Sequence, residues 1–228
     1  MTKKTKQNNK NRWWISGVAA ALLLSAVAVS CAPTEPATPT KPAAPTIPPT
    51  PTKSAMPANP AARANMYSKA PEMQIDSGKS YVATISTAKG DIVVQLDASA
   101  APLTVNNFVF LARQGFYDKL TFHRVVSDFV AQGGDPTGTG TGGPGYTVPA
   151  EIQLLHIKGA IGTARQGDQF NPTRASAGSQ FYIALEPLPG LDAGGYTVFG
   201  HVTEGMDVVL SIAIGDVIEK ISIGVRVW

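Results

Sequence analysis

Prolines and glycines occupy different parts of this chain of 228 residues, and their separation limits what each part can fold into. Ten of the 18 prolines lie between Pro33 and Pro60, whereas 21 of the 22 glycines lie at or after Gly78. Because proline fixes φ and has no backbone N–H, residues 31–65 cannot propagate a helix or a sheet ladder. They also contain too few large apolar side chains to offset the entropy of ordering. We therefore predict a disordered Pro-, Thr- and Ala-rich tether at 31–65 and a folded domain at 66–228.

The first thirty residues have the pattern of an export signal. Residues 1–14 are polar and basic, and residues 15–29 are apolar or small and carry no charge. This apolar run is short for a bilayer span, which takes about 20 residues. A basic segment followed by a short apolar one predicts a secretory signal peptide over residues 1–30. An uncleaved N-terminal anchor is the alternative, and both interpretations place the domain outside the cytoplasm.

A single cysteine, Cys31, stands where the signal peptide is predicted to end. The segment Ala28-Val29-Ser30-Cys31 resembles the lipobox of bacterial lipoproteins, although Ala28 stands where leucine is usual. The resemblance implies that Cys31 is lipidated and becomes the mature N-terminus. Its acyl chains would then anchor the protein at the extracytoplasmic face of the cell membrane. An ordinary secretory signal followed by an incidental cysteine is the alternative.

The net charge of +3 does not describe the predicted domain. Residues 1–30 carry five basic side chains and no acidic one, whereas residues 66–228 carry 11 basic and 15 acidic side chains, a net charge of −4. A domain that binds nucleic acid is expected to be basic, so the charge distribution argues against such a partner. One cysteine excludes an intrachain disulfide and a Cys-rich zinc site, and the three histidines are too scattered in sequence to indicate a metal site.

Short alternating segments separated by glycines predict a mainly β domain. Ser80–Thr87 and Asp91–Asp97 flank a turn signal at Lys89-Gly90, so they are predicted to form a hairpin. Many short strands with few helices indicate a barrel or a sandwich. The other predicted elements are helices at Ala101–Gly115 and Glu204–Ile214, and strands at Leu120–Val126, Phe129–Gln132, Ala160–Ala164, Gln180–Leu185, Tyr196–Val202 and Ile218–Val227.

Three motifs of the domain resemble those of the cyclophilin-type peptidyl-prolyl isomerases. The first is FHRVVSDFVAQGGD at residues 122–135, the second is GSQFYI at 178–183, and the third is LD at 191–192 followed by YTVFG at 196–200. The resemblance covers the chain from about Tyr81 to Val227. It implies a closed eight-stranded antiparallel barrel capped by two α-helices, and an enzyme that isomerises X–Pro bonds without a metal or a cofactor.

An X–Pro bond isomerises slowly because the partial double bond of the amide gives a barrier of about 18–20 kcal/mol. A catalyst therefore needs a group that favours the twisted amide, whose nitrogen carries a lone pair. Arginine is always protonated and offers several fixed N–H donors. The resemblance implies that Arg124 is the catalytic residue and donates towards the prolyl nitrogen, a stabilisation that grows in the transition state. Without the motif, Arg124 would be interpreted as a surface arginine paired with an acid.

The resemblance also implies a substrate site around Arg124. Phe129 and Tyr182 are expected to line an apolar slot for the proline ring, Gln132 to hold a substrate carbonyl, and Gln180 to support Arg124. Aromatic residues at such positions are alternatively plain core, since they usually bury their area. The full set of predicted substrate-binding residues is Phe122, Phe129, Val130, Gln132, Ala164, Arg165, Gln180, Tyr182, Leu191 and Tyr196.

Several positions depart from the family pattern. Val130 replaces a common methionine, Tyr182 a common phenylalanine, and Tyr196 a common histidine. Gly190 stands where many members have the tryptophan that contacts cyclosporin, so weak cyclosporin binding is expected. The loop at 165–177 is longer than the usual family version and is either a solvated loop or a substrate-selecting one.

The predicted partners are Pro-containing segments of unfolded or exported proteins, together with the lipid bilayer through the acyl anchor only. The protein is predicted to act as a monomeric folding helper. A different class of function is the alternative: a non-catalytic cyclophilin-like module that binds Pro-containing segments or a partner protein without turnover.

Overall fold

The first hairpin shows how the alternation of apolar residues builds the sheet. In the computed structural model, which describes residues 55–226, β1 (Ser80–Thr87) and β2 (Gly90–Leu96) pair antiparallel. Ile85 stands opposite Ile92 and both are fully buried, because every second side chain of each strand points to the core. Gly90 takes a φ of 134°, which only glycine adopts without strain, so the predicted turn is found where it was expected.

The strands form a single antiparallel sheet in the order β3-β9-β1-β2-β8-β6-β7-β5-β4. The prediction of a mainly β fold is confirmed. The other strands are β3 (Leu120–Thr121), β4 (Arg124–Val126), β5 (Val130–Gly133), β6 (Ala160–Thr163), β7 (Phe181–Ala184), β8 (Val198–Glu204) and β9 (Val217–Arg226).

The sheet has nine strands rather than the eight that were predicted, because the segment Leu120–Val126 is two strands instead of one. Before Phe122 the chain pairs with β9, and after His123 it pairs with β5. These two strands, β3 and β4, are the edges of the sheet, and only Phe122 and His123 separate them in the chain. No ladder joins the two edges within residues 55–226, so the prediction of a closed barrel is not confirmed.

Three α-helices accompany the sheet in the described part of the chain, one more than predicted. Helix α1 (Pro102–Gln114) begins at a proline and is followed by Gly115, whose φ of 77° is left-handed. Both ends lie where the proline and the glycine predict them. Helix α3 (Met206–Ser211) is shorter than the predicted Glu204–Ile214. Helix α2 (Pro189–Gly194) was not predicted, because six residues are too few to show an apolar period.

Aromatic side chains pack the main core between α1 and the sheet. The ring of Phe108 on α1 lies edge-on to the ring of Phe181 on β7, with 5.7 Å between the ring centres. The ring centres of Tyr117 and Phe122 lie 5.8 and 6.3 Å from that of Phe181. A smaller apolar cluster lies apart from this core and includes Val130, Tyr182 and Leu188, among others. The functional site described below lies at this smaller cluster.

Residues 55–65 are packed on the domain, so the predicted tether ends earlier than residue 65. Arg63, at the end of a 3-10 helix (Pro60–Arg63), is only 3% exposed and donates hydrogen bonds to the carbonyls of Phe116 and Asp118. Its Nε atom also donates to the carbonyl of Pro57 at 2.9 Å. The structure therefore packs residues 55–65 on the domain, although their composition indicates disorder.

The predictions of a signal peptide, of a lipidated Cys31 and of a tether up to residue 54 lie outside the described residues. Within residues 55–226, none of the helices has the length and apolar character that a membrane crossing requires.

Candidate active site

Strand pairing places the main predicted site residues in one row across the sheet. Arg124 on β4 stands opposite Gln132 on β5, Gln132 stands opposite Tyr182 on β7, and Tyr182 stands opposite Gly162 on β6. Directly opposed residues of an antiparallel sheet point to the same face. The row therefore places the guanidinium, the amide and the aromatic ring on one face.

A cavity of about 290 Å³ lies over this row and is called the Arg124 cavity below. All of its lining residues belong to the predicted site, and only two predicted residues, Phe122 and Gln180, do not line it. The lining residues are Arg124, Phe129, Val130, Gln132, Ala164, Arg165, Tyr182, Leu191 and Tyr196.

Arg124 is exposed at the edge of this cavity. Its Nη1 atom donates to Oε1 of Gln132 at 3.3 Å, and its Cζ atom lies 5.5 Å from the ring centre of Phe129. Within residues 55–226 the guanidinium forms no ion pair, so Arg124 is not the acid-paired surface arginine of the alternative interpretation. A guanidinium has five N–H donors, and most of them are thus available to a ligand.

Gln180 acts from behind the cavity rather than within it. Its side chain is 3% exposed, and its Oε1 accepts a hydrogen bond from Nε2 of Gln132 at 3.0 Å. Its own Nε2 donates to the carbonyls of Gly140 and Gly142 at 3.0 and 2.8 Å. Gln180 was predicted both in the substrate-binding set and as a support of Arg124, and the contacts agree with the second role: it fixes the amide of Gln132, which in turn contacts Arg124.

The glycine-rich loop at residues 138–145, whose carbonyls accept from Gln180, is itself held by a buried carboxylate. Oδ2 of Asp135 accepts hydrogen bonds from the backbone N–H groups of Gly140 and Gly142, and Oδ1 accepts from Thr137. Burial opposes ionisation, but these hydrogen bonds together lower the pKa of Asp135 below its ordinary value. An ionised Asp135 therefore organises the loop behind Gln180.

Phe122 was predicted to bind substrate, but it does not line the cavity. The side chain is fully buried in the main core, with its ring 6.3 Å from that of Phe181. The chain changes strand partner at this point, and Phe122 bonds through its backbone to Gly215 and Asp216. Its ring consequently faces the interior.

One wall of the cavity consists of Arg165 stacked on Tyr196. The Cζ atom of Arg165 lies 4.2 Å from the centre of the Tyr196 ring, a cation–π contact. Arg165 also donates to the carbonyl of Gly194 and forms an ion pair with Asp168 at 2.6 Å. Asp168 also binds Arg174 at 3.1 Å, and the hydrogen bond from Arg165 is the main cause that lowers the pKa of Asp168. The long loop is therefore fastened to the cavity wall.

A larger cavity of about 400 Å³ was not predicted. It lies between the glycine-rich loop and the long loop, and Gln166 in its wall directly follows Arg165 in the wall of the Arg124 cavity. Asn65, from the segment predicted to be disordered, also lines it. No sequence motif indicates this cavity, because its walls come from loops that are distant in sequence.

Sequence reasoning also missed two residues that lie behind Tyr182. The Nε2 atom of His156 lies 2.7 Å from the hydroxyl of Tyr182, and its Nδ1 atom lies 2.6 Å from Oδ1 of Asp192. Burial is the main cause that raises the pKa of Tyr182 well above its ordinary value, so its hydroxyl stays protonated. In residues 55–226, no group of three or more His, Cys, Asp or Glu side chains is arranged to hold a metal ion.

Comparisons with known proteins agree on one family. A family model described as "Cyclophilin type peptidyl-prolyl cis-trans isomerase/CLD" matches residues 82–227. A peptidyl-prolyl cis-trans isomerase of Helicobacter pylori is 47% identical over 148 residues, which is 63% of this chain and 86% of the relative. Peptidyl-prolyl cis-trans isomerase B of Bacillus subtilis is 47% identical over 135 residues, which is 58% of this chain and 90% of the relative.

Solved structures lead to the same result. A cyclophilin-type peptidyl-prolyl cis-trans isomerase of Cryptosporidium parvum, whose structure was also determined in the presence of the dipeptide Ala-Pro, has a TM-score of 0.57 and 31% identity. The comparison covers 64% of this chain and 98% of that protein. Since the family model spans well over half of the chain and the relatives match over most of their length, the chain belongs to the cyclophilin-type peptidyl-prolyl cis-trans isomerase family.

Proposed function

We propose that the protein isomerises X–Pro bonds at the Arg124 cavity, with Arg124 as the catalytic residue. The isomerase activity follows from family membership and from relatives that share nearly half of the aligned residues. One observation supports the assignment of the site: the guanidinium of Arg124, which forms no ion pair within residues 55–226, stands beside the apolar side chains of Phe129, Tyr182 and Leu191 in the cavity lining. The alternative of a non-catalytic binding module would not require such an unpaired cation.

The reaction needs no bond to be broken. As the amide twists, its nitrogen loses conjugation and its lone pair becomes an acceptor, which an N–H group of Arg124 is suited to bind. The planar ground-state amide offers no such acceptor, so the hydrogen bond forms only as the bond twists and lowers the barrier selectively. The apolar wall holds the proline ring while the preceding carbonyl rotates.

Gln132 serves this reaction in two ways in our proposal. Its Oε1 accepts from Arg124 and so orients the guanidinium, and its Nε2 has a second hydrogen beyond the one donated to Gln180. That second hydrogen is suited to a substrate carbonyl. The Ala-Pro dipeptide used with the Cryptosporidium parvum relative supports a proline-containing peptide as the ligand class.

The proposal is tested with Arg124→Ala and Arg124→Lys in the full chain, using a proline-containing test peptide. Removing one pre-organised donor typically lowers kcat about 10²–10³-fold, and a lysine lacks the planar fork, so both variants are expected to lose most of the activity. Arg113→Ala, which removes an exposed arginine of α1 outside the cavity, is the matched control. Equal turnover by Arg124→Ala and the control would refute the assignment of Arg124.

We also propose that the protein is exported and held at the extracytoplasmic face of the cell membrane by acyl chains on Cys31. The basic-then-apolar order of residues 1–29 and the cysteine that follows support this localisation. The proline-rich residues after Cys31 would hold the isomerase domain away from the bilayer, where exported proteins would be its clients. We expect the protein to act there as a monomer.

The anchor is tested by labelling cells with radioactive palmitate while they express the full chain or its Cys31→Ser variant. Label that depends on Cys31 is expected, together with release of the variant from the membrane fraction. Equal labelling of the two proteins would contradict the anchor without affecting the assignment of the catalytic site.

A further inference from the structure

The hydroxyl of Tyr182 is buried behind the Arg124 cavity. The side chain is 4% exposed and lines the cavity. A buried hydroxyl without a partner is destabilising, so the hydrogen bond to His156 is needed for the hydroxyl to be tolerated.

His156 joins the hydroxyl of Tyr182 to the carboxylate of Asp192. Burial opposes ionisation of Asp192, yet the hydrogen bonds from the side chain and the backbone of His156 lower the pKa of Asp192 below its ordinary value, so it is a carboxylate that only accepts. The Nδ1–H group of His156 donates to this carboxylate at 2.6 Å, and the Nε2 atom is hydrogen-bonded to the hydroxyl of Tyr182 at 2.7 Å.

The three residues connect separate walls of the Arg124 cavity. Tyr182 belongs to β7, and Asp192 belongs to α2 directly after Leu191, which lines the cavity. The backbone N–H of His156 donates to Oδ1 of Asp192 at 2.9 Å, and its carbonyl accepts from Leu188 at 2.8 Å. The imidazole is fully buried, and His156 is attached to Asp192 of α2 through its Nδ1 atom and its backbone N–H, and to Leu188, directly before α2, through its carbonyl.

The absence of a side chain at Gly162 leaves space for the Tyr182 ring, whose hydroxyl reaches His156. A Cβ atom on Gly162 would lie 2.7 Å from Cζ and from the hydroxyl of Tyr182, so the ring lies directly over this glycine of β6. The imidazole and phenol rings are stacked at 5.8 Å with an angle of 16° between their planes. The ring therefore has one side on Gly162 and its tip held by His156.

We propose that His156 and Asp192 are positioning residues for the isomerase site, which hold the Tyr182 ring in place as the floor of the Arg124 cavity. The proposal rests on the proposed function of that cavity. Neither residue touches the substrate; they act through Tyr182 and through the attachment of α2. A floor ring that is free to move would fit the proline ring less well, so their effect is on substrate binding rather than on the bond rotation at Arg124.

The test is a double-mutant cycle in the full chain, with kcat and KM measured separately on one X–Pro peptide. His156→Leu is expected to raise KM about fivefold while kcat changes less than about twofold, and His156→Gln, whose side-chain oxygen can accept from the hydroxyl, should recover part of the loss. In a Tyr182→Phe background the hydroxyl is gone, so His156→Leu should add less than about a twofold change.

An equal rise of KM in both backgrounds, or an unchanged KM with Tyr182 present, would overturn the proposal. Asp192→Ala repeats the test if His156→Leu does not fold, because the Asp192 side chain is partly exposed and its removal takes away the side-chain partner of the imidazole. Arg124→Ala is measured in parallel. If Arg124→Ala loses activity while the His156 cycle is additive, this inference fails alone; if Arg124→Ala keeps its activity, the proposed site fails first.

Discussion

The Nε2 atom of Gln132 donates a hydrogen bond of 3.0 Å to Oε1 of Gln180, and this bond connects the wall of the Arg124 cavity to the buried side of the sheet. Gln180 is in turn held by the carbonyls of Gly140 and Gly142. Arg124 has Gln132 as its hydrogen-bond partner, so the position of the guanidinium depends on Gln180, which does not line the cavity.

We predict that Gln180→Ala lowers kcat/KM about ten- to a hundredfold, because small misplacements of catalytic groups have effects of that size. Gln95→Ala is the matched control: Gln95 on β2 also makes side-chain hydrogen bonds, to Ser80, Tyr81 and Leu96, but lies outside the cavity. Both variants should be less stable than the unmodified protein, but only Gln180→Ala should have a lower kcat/KM. Similar kcat/KM values for the two variants would mean that Gln180 merely fills the interior.

The wall formed by Arg165 and Tyr196 gives a second prediction. Arg165→Ala removes the cation–π contact and the bond to Gly194, and we expect KM for an X–Pro peptide to rise about three- to tenfold, since such contacts contribute about 0.5–2 kcal/mol. Arg174→Ala breaks the other ion pair of Asp168 without touching Tyr196 and should leave KM within about twofold. If both variants shift KM alike, the loop as a whole, rather than the stacked wall, sets substrate binding.

Most of the lining of the Arg124 cavity could be predicted from the sequence because all its residues except Ala164 and Arg165 lie inside the three motifs. Arg124, Gln132 and Tyr182 are opposed on neighbouring strands, so identifying the motifs also gives the face on which these side chains lie. Two predicted site residues, Phe122 and Gln180, do not line the cavity. They belong to the same motifs, but their side chains are buried, and burial follows from the strand partners, which a sequence does not specify.

Other features depend on contacts between distant parts of the chain. His156 and Asp192 are 36 positions apart, and no spacing rule connects them. Arg63 lies 53 residues before its partner Phe116, within a segment whose proline content indicates disorder. Six residues of α2 are too short for an apolar period. In each case a tertiary contact outweighs a local signal.

The buried carboxylate of Asp135 gives a prediction about acid. Its pKa in the folded protein is below the ordinary value of about 4, so the folded state binds the proton less readily than the unfolded state. The stabilisation is therefore complete above about pH 4 and is lost as the pH falls through the lower folded value.

Asp135→Asn removes this charge-dependent stabilisation. At pH 7 the variant should be less stable by about 1.5–3 kcal/mol, the range for hydrogen bonds to a charged acceptor. The difference in the free energy of unfolding by urea should shrink as the pH falls below about 4 and through the lower folded pKa of Asp135, because protonation removes the charge from the unmodified protein. A difference that is constant over this range would show that the negative charge of Asp135 contributes nothing.

The last prediction concerns where the folded unit begins. Arg63→Ala leaves the carbonyls of Phe116 and Asp118 without their donor in a buried place, so the free energy of unfolding of the full chain should fall by about 2–4 kcal/mol. Lys69→Ala is the control, because its ion pair with Glu72 is exposed and such pairs contribute little.

Turnover of a test peptide should be the same in both variants below the unfolding transition, since neither residue lines the Arg124 cavity. If Arg63→Ala proves as stable as Lys69→Ala, residues 55–65 do not belong to the folded unit, and the boundary at residue 66 that the composition predicts is the right one.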